Sequence, residues 1–397
     1  MANELAFLEN GRLFFVRKDS GKPDKEEYHS QFGQEMKDRA MRIAQKNSWK
    51  NRTDGEDFLS SRQLWGGSGA NGDADAEAMA VHITAIAPSE EPDEIMFALS
   101  TRVVGGLFVY NRATKKEQRL FHKEGMIISD LCRDSESGKI VCSLRNANGT
   151  AFIAMVGTSL CDQITEGDCI DESPSWVPGE ENTIVYQSAG VGRNKAGFAV
   201  GLSSCAIQKL NLATGDQEEI LHSSEYDYLL PRMDKEGNLY YIRRPYQTGA
   251  KSASALTTLK DIVLFPFRLG RAFVAFLNFF SLTFTRRPLT TQDNQGAKTM
   301  DLEKVFLRGR MIDAGEAMRN SKLAPDEAPL VPSDWVLIKR AKNGDEETIA
   351  DSVAAYDFDS ENNLIFTNGR GTYKMAAGKK PELLFKSNLI EMVLPLS

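Results

Sequence analysis

Histidine is scarce in this sequence: His29, His82, His122 and His222 are all that its 397 residues contain. No two of them stand at metal-ligand spacing, so a histidine metal centre is not expected. The five cysteines, Cys132, Cys142, Cys161, Cys169 and Cys205, include no C-x-x-C pair. An odd number without such pairs is a poor disulfide framework and reads as free thiols in a reducing compartment. Positive charge is not in excess either. Lys and Arg number 48 against 55 Asp and Glu, a formal charge of −7. That balance argues against nucleic acid as a partner, because binding to phosphates needs a basic surface. There is no phosphate loop and no dinucleotide fingerprint. There is no G-x-S-x-G elbow: Gly157-Thr158-Ser159-Leu160-Cys161 and Gly201-Leu202-Ser203-Ser204-Cys205 both lack the closing glycine. No cofactor is expected. Residues 1–8 carry no basic, then apolar leader, so the expected location is cytoplasmic.

What the chain does have is short strands punctuated by turns. Residues 171–222 give the clearest unit. Asp171 to Trp176 leads into a Pro178-Gly179 turn, and Thr183 to Ser188 follows. After a Gly-rich link come Ala206 to Leu212, a Thr214-Gly215-Asp216 turn, and Glu218 to Leu221. Gly and Asp tolerate the backbone angles of such turns. Four antiparallel strands of this kind cannot bury both faces alone, and they make sense as one blade covered by its neighbours. The order Pro174-Ser175-Trp176-Val177-Pro178-Gly179, a hydrophobic strand ending in Ser188, then Ile207 to Gly215 resembles the repeat of TolB-like β-propellers. The resemblance implies an all-β fold. TolB itself is periplasmic, and the absence of a leader here sets that family role aside.

Looser copies flank this unit. The chain reads as a single β-propeller over 1–397, with about six four-stranded blades. Strands are expected at 3–18, from Val81 to Phe121, from Ile127 to about Ile164, from Tyr228 to Arg243 and again from Trp335 to Ala350, and from Val353 to Phe385. The tail Leu389 to Leu394 is one strand too many for the last blade. It fits as the innermost strand of the first, closing the ring through both chain ends.

Two insertions interrupt the repeat, at 19–75 and 247–332. In the first, Tyr28, Phe32, Met36, Ala40 and Ile43 suggest a surface helix over 22–50, followed by a Gly- and Asp-rich loop at 66–75. Antiparallel blade order sends both insertions, with the link Ala189 to Gly201, to one face of the disc, where protein partners are expected. The second insertion holds an unusual stretch at 256–287. Phe273, Phe276, Leu277, Phe279, Phe280 and Phe284 fall on one broad side of a helix, bordered by Arg268, Arg271, Arg286 and Arg287. The uncharged run Ala272 to Thr285 is short of the ~20 residues of a spanning helix. It suits an anionic membrane interface, a protein groove, or a tilted spanning segment. Beyond it, Met300 to Asn320 suggests a charged helix and Ala324 to Pro332 a stiff return linker.

These features lead to the expectation of a non-catalytic interaction scaffold on the cytoplasmic face of a membrane. Two alternatives stand beside it. One is a soluble subunit docking through 256–287. The other is a metal-dependent hydrolase or lactonase using acidic residues such as Asp171, Glu172 and Asp227 around the channel.

Overall fold

The computed structural model of the protein describes residues 3–18, 23–50, 81–101, 104–146, 148–157, 161–247, 304–307, 310–321, 327–376 and 378–396. The first sheet holds β1 (Asn3–Glu9), β2 (Arg12–Lys18) and β3 (Asp24–Tyr28). Asn10 and Gly11 join β1 to β2 with both residues at positive φ, 52° and 70°. That is the conformation a two-residue hairpin turn needs, and Asn-Gly supplies it. The second sheet is β4 (His82–Pro88), β5 (Glu94–Ser100), β6 (Val104–Asn111) and β7 (Lys116–Glu124). The third is β8 (Ile128–Arg133), β9 (Ile140–Arg145), β10 (Ala151–Val156) and β11 (Cys161–Gln163).

The fourth unit is β12 (Cys169–Trp176), β13 (Thr183–Arg193), β15 (Ala206–Asn211) and β16 (Gln217–Leu221), with β14 (Ala199–Leu202) added to the end of β13. The Gly-rich link of the sequence is therefore a hairpin extension, Val191 opposite Leu202. A single parallel pairing, Ala151 with Ile170, ties this unit to the third sheet. The fifth sheet begins with β17 (Tyr226–Met233) and β18 (Leu239–Pro245). After β19 (Lys304–Leu307) and β20 (Arg310–Asp313) it resumes with β21 (Val336–Arg340) and β22 (Glu346–Ala350). The sixth is β23 (Ala355–Phe358), β24 (Leu364–Thr367), β25 (Gly371–Met375) and β26 (Glu382–Lys386). The tail strand β27 (Ile390–Pro395) pairs antiparallel with β1, Ala6 opposite Leu394 and Phe7 opposite Val393.

The strands read as near-continuous apolar runs because both faces of each sheet are covered. On one face of the first sheet, Ala6, Leu8, Leu13 and Phe15 pack with Ile95, Phe97 and Phe108 of the second. On the other, Leu5, Phe7, Phe14 and Val16 pack with Ile365, Leu384 and Phe385 of the sixth. The same arrangement recurs between the second and third sheets, the third and fourth, the fourth and fifth, and the fifth and sixth. The core is thus a series of inter-sheet layers rather than one centre.

Two helices stand among the described residues, α1 (Gln31–Lys50) and α2 (Ala314–Asn320). Ser30 caps α1, its Oγ accepting from the Gly33 N–H at 3.1 Å. Glu117, reaching from β7, accepts from the N–H groups of Gln31 and Phe32, both at 3.0 Å, and from the Tyr28 hydroxyl at 2.6 Å. A carboxylate there satisfies orphan donors and meets the positive end of the helix dipole. Burial and this carboxylate push the Tyr28 phenol far up. Glu117→Ala is expected to cost about 1–3 kcal/mol and to remove hydrogen-exchange protection at Gln31 and Phe32. Unchanged protection at both amides would show that the clamp contributes nothing.

Several expectations need correction. Tyr28 does not sit on the helix: Asp24–Tyr28 is a strand paired with β2, Leu13 opposite Tyr28. Alternation of Glu26 and Tyr28 against Phe15 and Leu13 outweighs the helical stripe, and the first insertion begins only after it. Met300 to Asn320 is not one helix. Lys304–Leu307 and Arg310–Asp313 pair as β19–β20, Val305 opposite Ile312, and among the described residues of this stretch helix is confined to α2. The β-branched Val305 and Ile312 favour the pleated surface. The return segment is not a free linker, since Ala328, Leu330 and Val331 are buried and the Leu330 N–H donates to the Asn368 carbonyl. The loop at 66–75 and the Phe-rich stretch at 256–287, with all ten of its site residues, lie outside the described residues.

Candidate functional site

The strands β27, β4, β8, β12, β17 and β23 touch one another from unit to unit: β23 meets β27, β27 meets β4, β4 meets β8, β8 meets β12 and β12 meets β17. Five of them carry a register shift against their partner strand: β27 opposite Leu8/Glu9, and the others at Ile83/Ala85, Ile128/Asp130, Glu172/Ser175 and Leu229/Arg232. Bulges bend a strand and re-aim its side chains, and they recur beside functional sites. Two of these are pinned from neighbouring sheets. At the β12 bulge Ser173 has φ 54°, and its N–H donates to Asp130 Oδ2 at 3.3 Å. At the β17 bulge Leu230 has φ 54°. Its N–H donates to Gln187 Oε1 at 2.9 Å, and its carbonyl accepts from the Tyr356 hydroxyl at 2.6 Å.

The β17 bulge turns Arg232 toward β23. Its Nη2 lies 3.5 Å from Asp357 Oδ2, a residue of β23. The side chains remain 32% and 15% exposed, so water reaches the pair. The other carboxylate oxygen of Asp357 accepts from the Phe358 N–H at 2.8 Å. Burial raises the Asp357 carboxyl above its ordinary range, outweighing Arg232 and the Phe358 N–H, which both lower it. Burial opposes the charge on Arg232, but Asp357, and more weakly Cys132, Tyr356 and Asp130, hold its pKa raised. The guanidinium is therefore held as a cation beside a carboxyl that burial makes harder to ionise. Cys132 lines the same space, and burial pushes its thiol up, which keeps it from acting as a thiolate.

The acidic residues singled out from sequence are placed differently. Asp227 is 4% exposed and locked between sheets. It accepts from Arg244 Nε at 2.9 Å and from the Cys205 N–H at 3.1 Å. Asp171 is buried, with Oδ2 accepting from the Cys169 thiol at 3.4 Å. Glu172 pairs with Arg145 of β9. Glu172 and Asp227 clamp neighbouring units together, and Asp171 is held within its own strand. Among the described residues, no three His, Cys, Asp or Glu side chains gather as a metal site. His122 packs its ring 5.5 Å from that of Phe32, and His222 Nε2 lies 3.4 Å from Ser204 Oγ, so neither is near the Arg232–Asp357 pair. Arg232 and Asp357 were missed in the sequence. The available signal was a charge inside an otherwise apolar strand, Leu-Leu-Pro before Arg232 and Ala-Ala-Tyr before Asp357.

No protein-family model and no curated protein matches the sequence. Among solved structures, the chain is similar to TolB from Acinetobacter baumannii, with a TM-score of 0.48 and 10% identity over 98% of this chain. It spans 66% of that protein's length. It is also similar to a "putative 6-phosphogluconolactonase" from Bacteroides uniformis, with a TM-score of 0.42 and 8% identity over 99% of both chains. A protein described in the same words from Bacteroides fragilis gives a TM-score of 0.43 and 7% identity over 100% of this chain and 98% of its own. The expectation of a non-catalytic membrane scaffold is corrected at this point. Its supporting segment lies outside the described residues, and the neighbours that span the whole chain include these two proteins described as lactonases. In strand repeat and in the way its sheets pack, the all-β chain resembles TolB-like β-propellers.

Proposed function

We propose that the six sheets are the blades of one ring, closed by β27 within the first, and that the channel holds a hydrolytic centre for a small lactone or ester. The observation that carries this reading is the Asp357–Arg232 pair: a carboxyl raised by burial, beside a permanent cation, both reached by water. In the proposed reaction Asp357, ionised, takes a proton from water as the water oxygen bonds to the acyl carbon. Arg232 donates to the oxyanion that develops on the carbonyl oxygen. As the tetrahedral centre collapses, the bond to the ring oxygen breaks and Asp357 returns the proton to it. A general base placed on the attacking water contributes about 10²–10⁴-fold to such a step. A preorganised donor on the oxyanion contributes about 10²–10³-fold.

Asp357→Asn is expected to lower kcat on a sugar δ-lactone by about 10²–10⁴-fold. Its unfolding midpoint is measured alongside, because the substitution also takes the partner carboxylate from Arg232. If the variant hydrolyses the lactone at the wild-type rate, the assignment is wrong.

A further inference from the structure

Cys142 and Cys161 lie in the third sheet, away from the channel pair. Their Sγ atoms are 3.8 Å apart, with the Cys142 thiol donating to Cys161. Cys142 is buried on β9, whereas Cys161 opens the short edge strand β11 and is partly exposed. The strand between them is β10, which places Ala154 opposite Cys142 and Val156 opposite Cys161. The small Ala154 side chain lets the two sulfurs meet over it.

This geometry allows a hydrogen bond and opposes a bridge. Two strand spacings put the Cα atoms roughly 9–10 Å apart. A disulfide needs about 4.4–6.8 Å. Cys142 can therefore stabilise negative charge on Cys161 without capturing it. The other cysteines differ. Cys205 is buried, and burial raises its thiol. Burial and Asp171 push Cys169 up to about 12. Cys161 alone among the five is lowered: the Cys142 hydrogen bond, with Lys123, outweighs burial and the neighbouring Asp162, which raise it. Partial exposure, a donor on the sulfur and a nearby cation are the conditions that make a thiol reactive.

We infer that Cys161 is a site of S-thiolation by low-molecular-weight disulfides of the glutathione class. The Cys161 thiolate attacks one sulfur of the small disulfide, and a new S–S bond forms. The other half leaves as a thiolate and takes up a proton from water. One half of the small disulfide is reduced and Cys161 is oxidised, so no further oxidant is needed. Because Cys142 is out of bridging reach, it does not displace the adduct, which persists until an external thiol attacks it.

The test is to incubate the full chain with glutathione disulfide at pH 7 and to map adducts by mass spectrometry. One adduct per chain, on Cys161, is expected, released by excess glutathione. Cys161→Ser should abolish it. Cys142→Ala should slow it, because the donor on the Cys161 sulfur is lost. Modification spread evenly over Cys132, Cys161 and Cys169 would overturn the inference. So would a Cys142–Cys161 disulfide in place of the adduct, or no modification of Cys161 in protein whose fold is intact.

Discussion

A protein lacking residues 389–397 is expected not to fold. β27 is the inner edge of the first sheet, and it touches both β4 and β23. Its loss uncovers the β1 backbone from Leu5 to Glu9 and removes Leu389, Ile390, Val393 and Leu394, all buried. At about 1.5–3 kcal/mol for each such side chain, the loss is roughly 6–12 kcal/mol. That rivals the about 5–15 kcal/mol of a whole domain. Glu391 goes too, and with it the acceptor for the Gly11 N–H at 3.3 Å, in the turn that starts β2. Circular dichroism and gel filtration should show an unfolded or aggregated chain. A soluble truncation with the wild-type melting temperature would remove the ring-closure reading.

Arg244→Met is expected to destabilise the protein by about 3–5 kcal/mol. Arg244 is 7% exposed, and its guanidinium carbon lies 4.8 Å from the centre of the Trp335 ring. Its Nε meets Asp227, itself buried at the start of the fifth sheet. Methionine fills much of the volume but leaves the Asp227 carboxylate in a dry seam without its guanidinium. The double variant Asp227→Asn, Arg244→Met removes both charges and should recover much of the loss, because a buried pair costs desolvation that an uncharged replacement does not. Urea unfolding of both variants decides this. Equal destabilisation in the single and double variants would mean that packing on Trp335, and not charge, is what Arg244 contributes.

The strands were legible because each sheet is covered on both faces, and the sequence records that as apolar runs ended by Asn-Gly, Pro-Gly and Thr-Gly turns. β13 and β15 fall where Thr183 to Ser188 and Ala206 to Leu212 indicated. The distant halves of the fifth sheet also fall as expected, Ile242 opposite Leu337 across the second insertion. The start of α1 was misplaced because Tyr28, Phe32 and Met36 satisfy helical spacing while Tyr28 also satisfies strand alternation. Local pattern does not choose between them, and the pairing of Leu13 with Tyr28 does.

The candidate site was harder to read. Asp171, Glu172 and Asp227 were visible as acids at blade starts, yet their partners Arg145 and Arg244 come from other strands. Spacing along the chain carries no record of those pairs. Arg232 and Asp357 are 125 positions apart and become neighbours only because the β17 bulge turns one toward β23.

The most direct measurement is the pH dependence of sugar δ-lactone hydrolysis by the purified protein, side by side with Asp357→Asn. Asp357 must be ionised to accept a proton, and burial raises the pH at which it ionises. The predicted result is turnover above the uncatalysed rate, rising with pH through a single ionisation above the ordinary carboxylate range, and lost in the variant while its fold is kept. Hydrolysis no faster than the protein-free background, or an identical profile in the variant, would contradict the account.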